Sequence, residues 1–149
     1  MSTMTLRLDA FLPYRLSVAS NAVSARISAS YRKRFGLKVP EWRLIAILAE
    51  GNEMTPQALG NAARIDKISV SRAAAALIER GLIVARDNPG DGRSHLLALT
   101  TEGQALYAEI APIALAMEAE LLARFSPEER AQLDALLRRI EAAAGTDFP

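Results

Sequence analysis

The chain has no cysteine. That rules out disulfides, thiolate zinc sites, iron–sulfur clusters and thiol redox switches, and it suits a reducing cytoplasm. Histidine occurs once, at His95, and one imidazole without thiolates cannot build a nitrogen/sulfur zinc site, so no metal is expected. The same poverty leaves no Ser/His/Asp constellation, phosphate loop or carboxylate pair that stands out, so neither an enzyme nor a bound cofactor is expected. Aromatic residues make up only 5% of the chain, which points to an aliphatic core. No apolar run approaches the length of a membrane span, and the opening MSTMTLRLDAFLPYRL is too short in apolar residues for a signal peptide. A cytoplasmic protein is expected.

What is present is aliphatic and helix-prone. Half of the 149 residues are hydrophobic, with Ala and Leu dominant, enough for one domain or a small domain with helical extensions. The net charge of +1 hides an asymmetry. Residues 1–100 carry 14 Lys/Arg against 8 Asp/Glu, and residues 101–149 carry 4 against 9. A basic front and an acidic tail fit a molecule that meets phosphates with one face, although solvated helices of unequal charge would look the same.

Six helices and one hairpin account for nearly the whole chain. The spacing of Leu12, Leu16, Ala19, Val23, Ile27 and Tyr31 predicts a first helix from about Asp9 to Phe35, ended by Gly36. A second, Pro40 to Glu50, carries Trp42, Leu44, Ile45, Ile47 and Leu48. Thr55 can cap a third, with Pro56 at its first position, and this helix runs out near Arg64. Asp66 can cap a fourth, in which Val70, Ala73, Ala74, Leu77 and Ile78 share a face and Gly81 ends the run. Leu82 to Arg86 and His95 to Thr100 read as strands joined by a Pro/Gly/Asp/Arg-rich loop. His95 is expected at a strand edge or surface. A fifth helix should run from Thr100 or Thr101 towards Phe125, with Leu106, Ile110, Ile113, Met117 and Leu121 on one stripe and a kink at Pro112. Ser126-Pro127-Glu128-Glu129 is a capping-box opening for a sixth, whose stripe is Leu133, Leu136, Leu137 and Ile140. Residues 145–149 should fray.

Helix, turn, helix and then a hairpin with a basic tip is a winged helix-turn-helix, an arrangement commonly used to read duplex DNA. The expected fold is mainly α with a small β-hairpin wing: a winged helix-turn-helix at 37–100, flanked by helical regions at 1–36 and 101–149. The first and fifth helices are too long for such a small domain to cover. Their apolar stripes call for a partner, most simply a second copy in a two-fold dimer, although terminal helices packed on each other would also serve.

These segments in this order resemble the MarR family of bacterial winged-helix transcriptional regulators. The resemblance rests on VPEWRLIAILAEG, TPQALGNAARIDKISVSRAAAALIERGLI, DNPGDGRSHLLALT and TTEGQALY, and it is strongest from Leu37 to Tyr107. It implies a homodimer clasped by the first, fifth and sixth helices and bound to double-stranded DNA at an inverted-repeat operator. The fourth helix would lie in the major groove and the wing at the minor groove. By the same resemblance Lys67, Ser69, Val70, Ser71 and Arg72 face the groove, Thr55 to Gln57 lie near a phosphate, and Asp91 steadies the Arg93 that enters the minor groove. Two positions depart from the family pattern. Gly92 stands where many members carry a first arginine, and Lys38 where relatives often place a threonine.

The residues themselves leave alternatives. Arg72 can pair with guanine or with a phosphate, or belong to an ordinary solvated face. Arg93 can enter a narrow minor groove or pair with Asp87 or Asp91. Arg86, at the base of the wing, can be structural or contact a phosphate. The resemblance also implies a small-molecule effector, often an aromatic carboxylate. Tyr14, Arg15 and Ser17 of the first helix and Trp42 and Arg43 of the second are the candidates to hold it. Trp42 is equally a core residue, and Arg15 can instead bridge to the fifth helix. A repressor relieved by such a ligand is the expected function. A winged helix serving only as a protein-interaction module is the alternative.

Overall fold

The computed structural model describes residues 4–145, and the chain divides after Val39 into two compact units. In the first, a 3-10 turn at Leu8–Ala10 precedes helix α1, Leu12–Phe35. The sequence predicts a start near Asp9, but Phe11 is extended at φ −84°, ψ 113°. The reason is Pro13, which has no N–H to donate to the carbonyl of Asp9, so the helix can begin only within the turn that contains it. At the other end Gly36 takes the left-handed conformation and its N–H returns to the Arg32 carbonyl. Arg32, Lys33 and Arg34 fill the last turn, where the helix dipole favours positive charge.

The second unit holds the helix-turn-helix and the hairpin. Helix α2, Val39–Gly51, is followed by α3 (Pro56–Ala63), α4 (Lys67–Glu79), strands β1 (Ile83–Asp87) and β2 (His95–Leu99), α5 (Thr101–Leu121) and α6 (Pro127–Ala144). Its core is aliphatic, as the composition predicts: Leu44, Ile45, Leu48, Leu59, Leu77, Ile83, Leu97 and Ile110 are essentially inaccessible.

The sheet is antiparallel, with Ile83 opposite Leu99 and Asp87 opposite His95. Sequence spacing misses its third participant. Met54, between α2 and α3, exchanges both backbone hydrogen bonds with Leu97, at 3.0 and 2.7 Å, and so ties the base of the hairpin to the helix-turn-helix. Two close junctions fix the hairpin further. After α4, Gly81 at φ +74° lets its own N–H reach Ile78 and that of Leu82 reach Leu77, a Schellman closure that buries Leu82 beside Leu77. After β2, the Thr100 hydroxyl donates to the Gly81 carbonyl at 2.6 Å and accepts from Gly103 N–H at 3.0 Å. A Cβ at Gly103 would run into the carbonyl of Leu82, so only glycine lets α5 start this close to the hairpin.

Helix α5 passes through Pro112 without interruption and ends at Leu121, four residues before the predicted Phe125. The Arg130 side chain donates to the carbonyls of Leu122 and Phe125, at 2.7 and 3.2 Å, so the chain turns where a later side chain satisfies its last acceptors. Helix α6 opens with the full reciprocal capping box between Ser126 and Glu129. It buries no residue.

Candidate nucleic-acid interface

The α3–α4 pair is built from local cap chemistry. Thr55 Oγ1 accepts from Ala58 N–H at 3.2 Å with Pro56 in the first turn. Arg64 closes α3 in the left-handed region, at φ 57°, ψ 47°, an unusual conformation for a residue with a Cβ. Two residues on, Asp66 caps α4. One of its carboxylate oxygens accepts from Ser69 N–H and the other from the Ser69 hydroxyl, both at 2.8 Å. The backbone N–H of Ser69, then its hydroxyl, hold the Asp66 carboxyl below the usual carboxylate range. A carboxylate at a helix N-terminus is also favoured by the dipole.

Helix α4 presents two distinct faces. Val70, Ala73, Ala74 and Leu77 are buried, while Lys67, Ile68, Ser71, Arg72 and Ala75 are exposed. Two sequence expectations are corrected here, those for Val70 and Ile78. Val70 is 2% exposed and cannot face a groove. Its Cγ2 lies 3.1 Å from where a Cβ at Gly60 would stand, so it seals α4 onto α3, with buried Ile65 preceding the cap in the position of a hydrophobic staple. Ser69 is half-buried and its hydroxyl proton is committed to Asp66, which makes it first a capping partner. Ile78, predicted on the buried stripe, is 42% exposed. At 3.6 residues per turn it falls about 90° away from the centre of that stripe. Sequence reasoning passed over Ile68, which is 66% exposed. Its signal was available, because in DKISVSR it lies off the Val70/Ala74/Leu77 spacing.

The wing is two successive turns. Asn88 Oδ1 accepts from Gly90 N–H and Asn88 O from Asp91 N–H; Asp91 O then accepts from Ser94 N–H. Asn88 Nδ2 donates across the loop to Ser94 Oγ at 2.9 Å. Asp91 Oδ1 accepts from the backbone N–H of Arg93 at 3.0 Å. Asp91 thus holds Arg93 through its main chain. Its carboxylate fixes the main chain beneath Arg93, and no ion pair joins Arg93 to Asp91 or Asp87 among the described residues. The Arg93 guanidinium is left in solvent. Arg86 has a neighbour instead, Glu53 Oε2 at 3.8 Å, with the two side chains 59% and 46% exposed, a weak surface pair. Both stand at the rim of a cleft of about 370 Å³ whose walls include Asn52, Gln104 and Tyr107. His95 is exposed at the outer end of β2, as predicted. Thr55 and Gln57 flank the start of α3, Gln57 exposed and Thr55 half-buried by its cap.

The ligand candidates fall in different units. Tyr14, Arg15 and Ser17 are all exposed on the first two turns of α1. In the second unit Arg43 is exposed, and Trp42 is half-buried and stacked on Tyr107, with ring centroids 6.1 Å apart and planes 15° from parallel. Tyr107 is a second residue that the sequence did not single out; its partner lies 65 positions away. Among the described residues no helix is long and apolar enough to cross a membrane.

The MarR family model matches residues 35–94, which run from the end of α1 through the wing. The homoprotocatechuate degradative operon repressor of Escherichia coli is 31% identical over 110 residues, 74% of either chain. A putative transcriptional regulatory protein for the hcr operon of Thauera aromatica is 30% identical over 97 residues, 65% of this chain and 58% of that one, so the match spans less than two thirds of that relative. The crystal structure of a MarR/EmrR family transcriptional regulator from Acinetobacter sp. ADP1 superposes with a TM-score of 0.85 at 27% identity, covering 93% of this chain and 98% of the other. These relatives are transcriptional regulators and not enzymes. The winged helix-turn-helix, the order of its flanking helices and these likenesses agree, and the chain belongs to the MarR family of transcriptional regulators.

Proposed function

We propose that the protein is a cytoplasmic homodimeric repressor that binds an inverted-repeat operator and is released by a small aromatic carboxylate. Residues 37–100 bind DNA in this reading, and residues 1–36 and 101–149 hold the dimer. The observation that carries it is the outward face of α4. Lys67, Ser71 and Arg72 stand free of the core on a helix whose N-terminal turn is rigidly capped, and the solvent-exposed Arg93 projects from a wing tied to the same unit. The N-terminal residues of a recognition helix are those that meet base edges, and loop arginines suit the negative minor groove.

The dimer is supported by α6, where Leu133, Leu136 and Leu137 are 43%, 50% and 40% exposed. A stripe of that kind needs a second apolar surface. Repression of a catabolic operon is supported by the name of the Escherichia coli relative, a repressor of a homoprotocatechuate degradative operon.

Titration of fluorescent duplexes covering the DNA next to the protein's own gene tests the reading. Binding should occur, and log K should fall linearly with log salt by orders of magnitude between low and moderate salt. A flat plot overturns DNA as the partner. Light scattering should give a dimer at micromolar concentration. A thermal-shift screen of aromatic acids should find ligands that raise the melting temperature by mass action, and that also lower affinity for the duplex.

A further inference from the structure

We infer that Ile68 is a base-reading residue of α4 and that what it recognises is the 5-methyl group of a thymine in each half of the operator. The inference rests on the proposal that α4 enters the major groove. Ile68 occupies the second position of a helix whose buried face is Val70, Ala73, Ala74 and Leu77. At 3.6 residues per turn it points about 170° away from the mean direction of those four, the position on the helix furthest from the core. It is 66% exposed. Arg72 stands one turn further on the same ridge, and exposed Ala75 continues it.

Nothing in the fold accounts for a branched aliphatic side chain there. The cap at this end of α4 is made by Asp66 and Ser69, and the apolar seal to α3 by Val70 and Ile65, both buried. Isoleucine has no donor or acceptor, so it contributes nothing to phosphate contacts. In the major groove the one feature that offers it a complementary surface is the thymine methyl, since every other distinguishing group there is a hydrogen-bond donor or acceptor. The neighbours divide the work accordingly. Lys67 and Ser71 are exposed to one side of Ile68, suited to phosphates, and Arg72, on its other side, is suited to a guanine or a phosphate within one helical turn of the thymine.

The test begins with selection of binding sites from a random duplex library by the full-length dimer. The selected consensus is then remade with deoxyuridine in place of thymidine, one position at a time, which removes only the methyl. Deoxyuridine at one symmetry-related position should weaken wild-type binding about fourfold for each half-site, the equivalent of one buried methyl group. Ile68→Ala should bind the thymidine and deoxyuridine duplexes alike, and Ile68→Val should retain most of the discrimination. Thermal melts of both variants should match wild type, because the side chain is exposed. If the wild type selects a consensus but no deoxyuridine substitution weakens it, or if Ile68→Ala still discriminates, the assignment of Ile68 is overturned while DNA binding stands. If the wild type selects no sequence and binds no duplex, the underlying reading of α4 falls with it.

Discussion

Helices α4 and α6 each carry four aliphatic residues at helical spacing: Val70, Ala73, Ala74 and Leu77 in the first, Leu133, Leu136, Leu137 and Ile140 in the second. In α4 all four are 8% exposed or less; in α6 none is buried. The difference comes from the surroundings. Helix α4 lies against α3, with Gly60 under Val70, and its C-terminal closure passes directly into the hairpin. Helix α6 has its capping box, the Arg130 contacts to the preceding corner and one exposed Arg138–Asp134 pair. Such local devices are each worth a few tenths to about 2 kcal/mol, too little to order 18 residues without tertiary packing. Periodicity therefore says that a face will be covered. It does not say whether the cover belongs to the same molecule.

The widest separation between the two helices should come from placing charge in the α6 stripe. Leu133→Glu combined with Leu137→Glu should convert the proposed dimer to monomer by light scattering. Affinity for a two-half-site duplex should fall about 100-fold or more, since the second half-site no longer binds at high effective concentration. A double variant that remains dimeric would place the interface elsewhere.

The opposite manipulation belongs to α4. Leu77 is inaccessible, and Leu77→Ala should cost about 2–5 kcal/mol of stability through lost burial and a residual cavity. Urea denaturation at fixed protein concentration measures it, and light scattering should still find a dimer. If Leu77→Ala instead changed the association state with little change in stability, the contrast drawn between the two helices would be wrong.

The cap of α4 gives a smaller, pH-dependent effect. The Asp66 pKa is lowered in the folded protein, so the cap stabilises above the unfolded carboxylate pKa and that contribution disappears as pH falls through the folded value. Wild type should melt higher than Asp66→Ala at pH 7, and the gap should narrow once pH drops below about 4. A gap that is constant down to pH 2 would mean that the hydrogen bonds from Ser69 do not depend on the ionised carboxylate.

What could be read from the sequence follows the range of the interaction. Thr55, Asp66, Thr100 and Ser126 are all caps whose partners lie three residues away, and every helix they open is recognisable from the sequence. The pairing of Met54 with Leu97 and the stack of Trp42 on Tyr107 join residues 43 and 65 positions apart, with no local pattern to announce them. The candidate site shows the same division. Lys67, Ser71, Arg72 and Arg93 are exposed as expected, because turn chemistry and spacing place them. The sequence puts Val70 both on the apolar stripe and among the groove-facing residues, and only the packing of α4 on Gly60 decides for the first. Ile68 went unremarked because an aliphatic residue inside an amphipathic helix is read by default as core.

The finest distinction concerns how the wing holds its arginine, and the expected effects here are the smallest. Arg93→Ala should weaken every operator by at least about 1 kcal/mol per dimer and reduce the salt slope, since it removes the exposed cation at the wing tip. Asp91→Ala should cost less, because it takes away only the acceptor that anchors the Arg93 main chain at 3.0 Å. Asp91→Asn separates that role from a charge effect. An asparagine Oδ1 accepts the same backbone N–H, so the turn persists and affinity should stay close to wild type or rise slightly as a negative charge leaves the loop proposed to meet DNA. Were Asp91 acting through a charge-assisted pair with the guanidinium, Asp91→Asn would lose as much as Asp91→Ala. None of the three should shift the melting temperature by more than a degree or two, since exposed loop substitutions usually change stability by no more than about 0.5 kcal/mol. Anisotropy titrations of the three variants at two salt concentrations therefore show whether Asp91 shapes the loop or neutralises the arginine.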